Sequence, residues 1–300
     1  MSTIPLGIPY FRNPKELPAP LPTTSEIPVS NDIIKGAEAW ATRKFVSVGK
    51  HFIAKYSPSN DEIEGENLLF LERNNLLGFA PRLYAMWRGV DRSLFLLMER
   101  LPGKTLESLW PTLPNPDNDR ILVQIRDILR GIRSLPHQGF FGAVNKSHIP
   151  HHLFYWPKYP AHVSGPFTTE RTLVQGLISK SRLNAQDNKR YSYLADFFES
   201  QLMRDLVVDG RMPMFTQSDL QRKPIPVEEV EVESAPDRKQ FHVSLVDWES
   251  AGWYPVYWEH FAAFFALKWD DDWCCKVGDV IDGWPAETAM MEMIYQDLWL

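Results

Sequence analysis

The chain has 300 residues, 44% of them hydrophobic and 23% charged, which is typical of a globular protein with one large domain or two lobes. Its formal net charge is −6, from 32 Lys and Arg against 38 Asp and Glu, and the basic residues are scattered along the chain. We therefore expect no nucleic-acid partner. The two cysteines, Cys274 and Cys275, are adjacent and poorly placed to bridge each other, which favours a reducing compartment.

Membrane and targeting patterns are also missing from the sequence. The first 20 residues lack the basic and apolar regions of a signal peptide, and no uninterrupted apolar run approaches the length of a membrane span. We expect a cytoplasmic protein with no membrane partner. The sequence does not indicate an oligomeric state.

The first 30 residues are rich in proline, with five prolines between Pro14 and Pro28. Proline disfavours both helix and central strand, so this stretch is predicted to be an extended arm on the surface. The following segment, "NDIIKGAEAW" (31–40), is predicted to be a short capped helix. "KFVSVGKHFIAKYS" (44–57) has the pattern of two strands that turn at Gly49-Lys50.

The next segments complete a small lobe at residues 31–103. In "SNDEIEGENLLFLERN" (59–74), Ser59 and Glu62 have the spacing of a capping box ahead of an apolar run, which predicts a helix. "APRLYAMWRG" and "RSLFLLMERLPG" are predicted to be two further strands, the second ending near Pro102-Gly103. The sequence therefore predicts a sheet-rich N-terminal lobe.

Residues 104–300 are predicted to form a larger, mainly helical lobe. In "ILVQIRDILRGIRSL" (121–135) the apolar residues recur at helical spacing and form one face. Further helices are predicted in "LVQGLISKSRL", "SYLADFFESQLMRDLV" and "EHFAAFFALKW". The fold class is thus α+β with two lobes joined near Met98–Lys104, and a cleft between such lobes is a usual place for a small-molecule site.

Two aspartates are candidates for phosphate chemistry. Asp219 lies in the polar loop "FTQSDLQRKPI", and Asp247 ends the β-branched run "FHVSLVD". Phosphoryl transfer uses one carboxylate to orient the attacking hydroxyl and another to hold magnesium. The simpler alternative is that each aspartate only caps a turn or the segment that follows it.

Lys55 and Glu64 are candidates for the other half of such a site. A lysine within the apolar strand "HFIAKYS" must place its ammonium in solvent or on an anion, and Glu64 in the next helix is a possible partner. The simpler alternative is an edge-strand lysine and a glutamate placed favourably in a first helical turn. With the two aspartates, however, they follow the chain order of a kinase site.

Five stretches together resemble the aminoglycoside phosphotransferase-like family, in particular its fungal branch, which has the two-lobed protein-kinase-like fold. The similarity runs from about Asp32 to His260 and is carried by "HFIAKYS", "EGENLLFLERN", "LLMERLPGKTLESLWPTL", "FTQSDLQRKPI" and "LVDWESAGWYPVYWEH". The resemblance implies ATP and Mg²⁺ as cofactors and an unidentified small-molecule hydroxyl as acceptor.

The resemblance also implies a role for each candidate residue. Lys55 would contact the α- and β-phosphates and pair with Glu64, Asp219 would be the catalytic base, and Asp247 would bind magnesium. The hinge facing adenine would comprise Met98, Glu99, Arg100 and Leu101.

The catalytic loop departs from the family's H-x-D-x-x-x-x-N pattern at two positions. Gln217 replaces the histidine, a mild change because an amide still forms hydrogen bonds that hold the loop. Pro224 replaces the asparagine, and proline offers neither a side-chain oxygen nor an N–H, so one magnesium ligand is lost. Gln221 is a weaker candidate for a replacement carbonyl ligand.

Three functions are consistent with these residues. The first is a small-molecule kinase, which we favour because Lys55, Glu64, Asp219 and Asp247 are all present. The second is a catalytically inactive, kinase-like protein that binds a nucleotide or another ligand. The third is a kinase-like fold used for other magnesium-assisted chemistry. In all three, the aromatic residues of "GWYPVYW" either line a substrate site or, more simply, belong to the core.

Overall fold

The structure is a computed structural model that describes residues 7–38, 41–76, 78–230, 240–265 and 272–299. Its strands and helices, numbered in chain order, have the following bounds. The strands are β1 Tyr10–Phe11, β2 Ile33–Lys35, β3 Lys44–Val48, β4 Phe52–Ser57, β5 Leu83–Arg88, β6 Leu94–Glu99, β7 Lys104–Thr105, β8 Met214–Thr216, β9 Pro226–Val230, β10 Gln240–Val243 and β11 Gly252–Tyr254. The helices are α1 Ile63–Arg73, α2 Leu106–Leu109, α3 Asn115–Arg133, α4 Ala161–Ser164, α5 Glu170–Asp187, α6 Tyr193–Phe197, α7 Met203–Leu206, α8 Trp258–Phe265, α9 Trp273–Val280 and α10 Pro285–Trp299.

The chain divides into two compact units, and each unit is built from two separate segments of the sequence. The first unit contains Met1–Pro111 and Ile225–Asp247, and the second contains Thr112–Pro224 and Trp248–Leu300. All of 104–300 is predicted from the sequence to lie in one lobe. The structure groups Ile225–Asp247 with the first unit because β9 pairs with β7 on one side and with β10 on the other.

The first unit is built on an antiparallel sheet of six strands in the order β1-β5-β6-β4-β3-β2. The predicted β3–β4 hairpin is confirmed, with Gly49 at a positive φ of 62° in its turn. The predicted strands β5 and β6 and the predicted helix α1 are also confirmed. A second sheet of three strands, in the order β10-β9-β7, belongs to the same unit.

Two local predictions in this unit are wrong. Within 31–40, the described residues contain strand β2 in place of the predicted capped helix, because Ile33 and Lys35 pair with the edge of β3. The predicted capping box of α1 does not form either: the helix begins at Ile63, whose N–H donates to the Asp61 carboxylate at 3.1 Å. Tertiary pairing in the first case and a nearer acceptor in the second override the local signal.

The second unit is mainly helical, as predicted. Its longest helix is α3, whose predicted apolar residues Ile121, Leu122, Ile125 and Leu129 are buried. The sequence analysis did not assign α9 and α10, and α10 contributes Met291 and Ile294 to the core of this unit. Within the described ranges, no helix combines the length and apolarity needed to cross a membrane.

The described part of the proline-rich arm, residues 7–30, contains strand β1 and one turn of 3-10 helix at Pro14–Glu16, and it contributes to the core of the first unit. Strand β1 adds an edge to the sheet by pairing with β5, and Ile27 is fully buried against residues of β3 and β4. Arg12 anchors the arm: its Nε donates to the Leu83 carbonyl at 2.9 Å, and its guanidinium forms two hydrogen bonds with the Glu72 carboxylate. A single buried arginine therefore ties the arm to β5 and α1.

We predict that Arg12→Ala destabilises the first unit by about 2–3 kcal/mol, because the substitution removes charge-assisted hydrogen bonds and leaves a buried carbonyl without its donor. Chemical denaturation followed by circular dichroism measures this loss. Lys15→Ala, an exposed change three residues away, is the control and should have little effect. Equal stability of the two variants would show that Arg12 does not anchor the arm.

Candidate functional site

A buried lysine organises the candidate site of the first unit. Lys55 lies in β4, opposite Phe45 of β3 and Leu96 of β6, and is only 4% exposed. Its Nζ donates to Glu64 Oε1 at 2.6 Å and also to Asp247 Oδ1. A buried ammonium is costly unless it is paired with anions, and here two carboxylates from different elements pair with it.

Glu64 reaches Lys55 from the first turn of α1, where a negative charge is favoured by the helix dipole. Burial raises the pKa of Glu64, and the Lys55 ammonium opposes that effect. Burial alone would lower the pKa of Lys55, but Glu64 and Asp247 together raise it above its ordinary value. Lys55 therefore stays cationic at neutral pH although it is buried.

Asp247 is placed by the segment that follows β10. The N–H of Leu245 donates to the Phe79 carbonyl at 2.6 Å, and two residues later Asp247 adopts a positive φ of 61°. Non-glycine residues in this region cluster at functional sites. Burial would raise the pKa of Asp247, but Lys55 holds it below its ordinary value, and the side chain is 35% exposed. Asp247 is thus an ionised carboxylate that reaches solvent.

Three further residues, missed by the sequence analysis, lie at this site. The Phe45 ring centroid is 4.6 Å from Lys55 Nζ, 5.6 Å from Lys35 Nζ and 5.9 Å from Arg43 Cζ. Lys35 and Arg43 also contribute to the low pKa of Asp247. The hairpin turn at Gly49 could have revealed Phe45, because it sets the register that puts Phe45 opposite Lys55.

The predicted hinge residues span the end of β6, with Met98 and Glu99 in the strand and Arg100 and Leu101 after it. Met98 is buried, the N–H of Glu99 donates to the Arg82 carbonyl at 2.9 Å, and the N–H of Arg100 donates to the His51 carbonyl at 2.9 Å. The Arg100 guanidinium donates to the Gly49 carbonyl at 3.0 Å. The two hydrogen bonds of Arg100 tie the segment to the β3–β4 turn. The contact of the segment with adenine, and the part of Leu101 in it, stay predictions.

Asp219 lies in the second unit, in the loop after β8. Its N–H donates to Gln217 Oε1 at 2.8 Å, so the glutamine amide forms the hydrogen bond that was expected to hold the loop. Ser218 adopts a positive φ of 67° next to the candidate base. The Gln221 amide donates to Asp219 Oδ1 at 3.0 Å, so Gln221 contacts Asp219 through its nitrogen. Pro224 is buried at the end of the loop.

Glu259, which was not predicted to belong to the site, holds this loop through two hydrogen bonds. It is 1% exposed, and its two carboxylate oxygens accept hydrogen bonds from the N–H groups of Gln217 at 2.9 Å and Ser218 at 3.1 Å. Burial raises the pKa of Glu259, against the opposing effects of Arg133 and the two amides. The neighbouring Trp258 donates from Nε1 to Ser218 Oγ at 3.0 Å. The start of α8 therefore fixes the backbone beside Asp219.

The aromatic residues after Asp247 belong to the core. Trp253, Tyr254, Tyr257 and Trp258 are all fully buried, which confirms the simpler of the two interpretations of "GWYPVYW". Tyr254 stacks on Trp258 with ring centroids 4.9 Å apart. Their packing supports the helix that carries Glu259.

The residues of the first unit fit a magnesium ion that is held mainly by phosphate oxygens. Within the described part of the chain, no group of three or more His, Cys, Asp or Glu side chains could form a metal site by itself. Magnesium in phosphate-transfer sites commonly has one or two carboxylate ligands together with substrate phosphates. Asp247, which is ionised and partly exposed, has the chemistry of such a ligand.

Similarity to solved structures identifies the class of fold. The aminoglycoside phosphotransferase APH(4)-Ia is 14% identical in sequence, with a TM-score of 0.55 over 92% of this chain and 89% of that chain. A thermostable mutant of the same enzyme, in a ternary complex with AMP-PNP and hygromycin B, is 15% identical with a TM-score of 0.56 over 90% and 87%. The streptomycin-ATP-APH(2″)-IIa ternary complex is 13% identical with a TM-score of 0.53 over 92% and 85%.

These similarities show the fold, which is the α+β, kinase-like fold of aminoglycoside phosphotransferases, as the sequence predicted. No protein-family model matches the chain. No curated protein matches its sequence. The fold is therefore established by structure, at sequence identities too low to carry an activity over.

We predict that Glu259→Gln destabilises the second unit by about 1–3 kcal/mol, because the amide nitrogen cannot accept the hydrogen bond that one backbone N–H now donates. Amide hydrogen exchange at Gln217 and Ser218 should also speed up, since their N–H groups lose carboxylate acceptor oxygens. The measurements are thermal unfolding and exchange detected by mass spectrometry.

The matched control is Glu107→Gln, the same substitution at an exposed position of α2. Unchanged exchange in the 217–218 segment of the Glu259 variant would show that this carboxylate does not hold the loop.

Proposed function

We propose that the protein is an ATP- and Mg²⁺-dependent phosphotransferase that acts on a small-molecule hydroxyl. The observation that carries the proposal is the buried Lys55 ammonium joined to Glu64 and Asp247, at the positions where the quoted motifs place the nucleotide-binding residues. Solved neighbours in complex with AMP-PNP or ATP support a nucleotide site. We also propose membership of the aminoglycoside phosphotransferase-like family and its fungal branch, with a cytoplasmic location.

The proposed nucleotide site is formed by the first unit. Lys55 would donate to the α- and β-phosphate oxygens while Glu64 continues to hold its ammonium, and the Met98–Leu101 segment would face adenine. Lys35 and Arg43 add positive charge near Asp247, which favours a phosphate chain. Asp247 and the phosphate oxygens would hold magnesium, which neutralises the charge that develops during transfer.

The proposed base is Asp219. Its carboxylate would orient the acceptor hydroxyl and take its proton as the oxygen attacks the γ-phosphorus, while the bond from that phosphorus to the leaving ADP oxygen breaks. Such a base must be held in place. The Glu259 carboxylate and the Gln217 side-chain oxygen accept hydrogen bonds from backbone N–H groups of the loop, and the Gln221 amide donates to Asp219. In this scheme residues 31–103 bind nucleotide, and 104–300 carry the catalytic loop and the acceptor pocket.

A second candidate function is a catalytically inactive protein that binds a nucleotide. Pro224, which is buried, stands where the motif expects an asparagine ligand, and the Gln221 amide donates to Asp219. Both observations reduce the number of oxygen ligands that the loop offers to a second metal ion.

The two aspartates should give different phenotypes if they have the proposed roles. In Asp247→Asn, magnesium should no longer strengthen ATP binding, because the charged oxygen ligand is lost. In Asp219→Asn, ATP affinity should stay within about twofold, and turnover should fall by about a hundredfold or more, the usual contribution of a general base. Calorimetric titration with ATP, with and without magnesium, and phosphate release measure these effects.

Asp209→Asn, at an exposed position of the second unit, is the control for both variants. No binding of ATP by the wild-type protein would exclude both candidate functions. If Asp219→Asn unfolds the protein, Asp219 has a capping role and is not the base.

A separate test addresses Pro224. If the protein is a phosphotransferase that lacks one metal ligand, Pro224→Asn restores an amide oxygen and should raise the rate of phosphate release from ATP by about tenfold, equivalent to about 1.4 kcal/mol of transition-state stabilisation. The assay uses saturating magnesium and compares the wild type with the variant. An increase that disappears when Asp219→Asn is added would place the gain in the catalytic loop.

An unchanged rate in Pro224→Asn would favour the inactive, nucleotide-binding protein. A lower rate would show that the proline contributes to the mechanism, contrary to the role assigned here to its position.

A further inference from the structure

A pocket lies in the second unit, between α3 and α9. It has a volume of about 280 Å³ and is lined by α3 and by the end of α9 with the residues that follow it. The α3 wall carries Arg126, Arg130 and Arg133, whose spacing of four and three residues puts them on one face of the helix. The other wall carries Asp279 and Asp282.

The arginine wall has hydrogen-bond donors without acceptors. Arg126 Nε and Arg133 Nη1 are buried and have no hydrogen-bond partner, although Arg133 Nη2 donates to the Val256 carbonyl at 2.7 Å. A buried donor without a partner costs about 1–3 kcal/mol. Guanidinium groups are suited to planar or tetrahedral oxyanions, to which they donate two parallel hydrogen bonds. An oxyanion in the pocket would satisfy both donors.

The aspartate wall favours a positively charged group on a ligand. Asp279 lies in the last turn of α9, where the helix dipole disfavours a carboxylate and a nearby cation offsets the cost. Among the described residues, neither Asp279 nor Asp282 forms an ion pair with the three arginines. Burial lowers the pKa of Arg133, and the charge of Asp282 partly offsets that effect. Since no described ion pair joins the two walls, they still present opposite charges to one cavity.

We infer that this pocket binds a small zwitterionic molecule, with a phosphonate-like or carboxylate oxyanion on the arginine wall and an ammonium on the aspartate wall. The volume lies just below the range of ordinary ligand pockets, about 300–1,000 Å³. A ligand with a few carbon atoms between its charged groups is suited to a pocket of this size. The inference does not rest on the proposed phosphotransfer, because none of the five side chains is assigned a role in it, although the charge of Arg133 also acts on the pKa of Glu259.

Three matched probes test the charge requirement: 2-aminoethylphosphonate, ethylphosphonate and ethylamine, titrated calorimetrically at constant ionic strength. We expect 2-aminoethylphosphonate to bind more tightly than either probe with a single charge, by about tenfold or more, which is about 1.4 kcal/mol. The reason is that it pairs with both walls, whereas each of the other probes pairs with only one. Equal affinities of the two phosphonates would overturn the zwitterionic inference.

Substitutions in each wall locate the binding. Arg130→Gln, at an exposed position that folding tolerates, should weaken both phosphonates by about tenfold, and Arg126→Gln should do the same. Asp279→Asn combined with Asp282→Asn should remove the advantage of 2-aminoethylphosphonate over ethylphosphonate. Unchanged affinities in these variants would overturn the assignment of the pocket.

Two controls separate this pocket from other sites. Arg120→Gln removes an arginine of α3 that pairs with Asp117 and does not line the pocket, and it should leave binding unchanged. Binding should also persist in Lys35→Ala, a change at an exposed lysine beside Asp247. Loss of phosphonate binding in a folded Lys35→Ala variant would mean that the probes bind at the candidate nucleotide site, and the inference would fail.

Discussion

The first unit depends on the need to neutralise one buried cation. Lys55 lies in the middle of a sheet, where an unpaired ammonium would cost several kcal/mol, so the fold must bring anions to it. It does so with Glu64, nine residues away at the start of α1, and with Asp247, 192 residues away after β10. The small sheet that groups Ile225–Asp247 with the first unit is what makes the second contact possible.

The second unit meets a related requirement, because a buried carboxyl group must find hydrogen-bond donors. Glu259 is that group, and the donors that satisfy it are backbone N–H groups of the loop beside Asp219. Buried polar groups specify geometry because few arrangements satisfy them. In each unit a titratable side chain that solvent hardly reaches thus lies beside a partly exposed aspartate, Asp247 in one and Asp219 in the other. The backbone has a positive φ at Asp247 itself and at Ser218, the residue before Asp219.

Most elements of the fold were predictable because their signals are local. The period of α3 and the turn at Gly49 leave few alternatives, and the strands β5 and β6 are apolar runs bounded by breaks. Residues 31–40 were assigned to the wrong element because a short segment with mixed propensity takes the structure that its neighbour requires, and here the open edge of β3 requires a strand. The predicted start of α1 was wrong because Asp61, and not Ser59, accepts the hydrogen bond from an N–H at the beginning of the helix.

The sequence by itself determined the residue types of the site and their chain order: Lys55, Glu64, Asp219 and Asp247, with Pro224 as the departure from the motif. These are side-chain identities, and spacing along the chain is enough to recognise them. Only the tertiary structure decided that Asp247 meets Lys55, that Phe45, Lys35 and Arg43 surround that pair, and that Glu259 holds the catalytic loop. The reason is physical. The partners of Glu259 are backbone N–H groups, which every residue except proline has, so no sequence pattern marks them. The other contacts join residues that only the fold brings together.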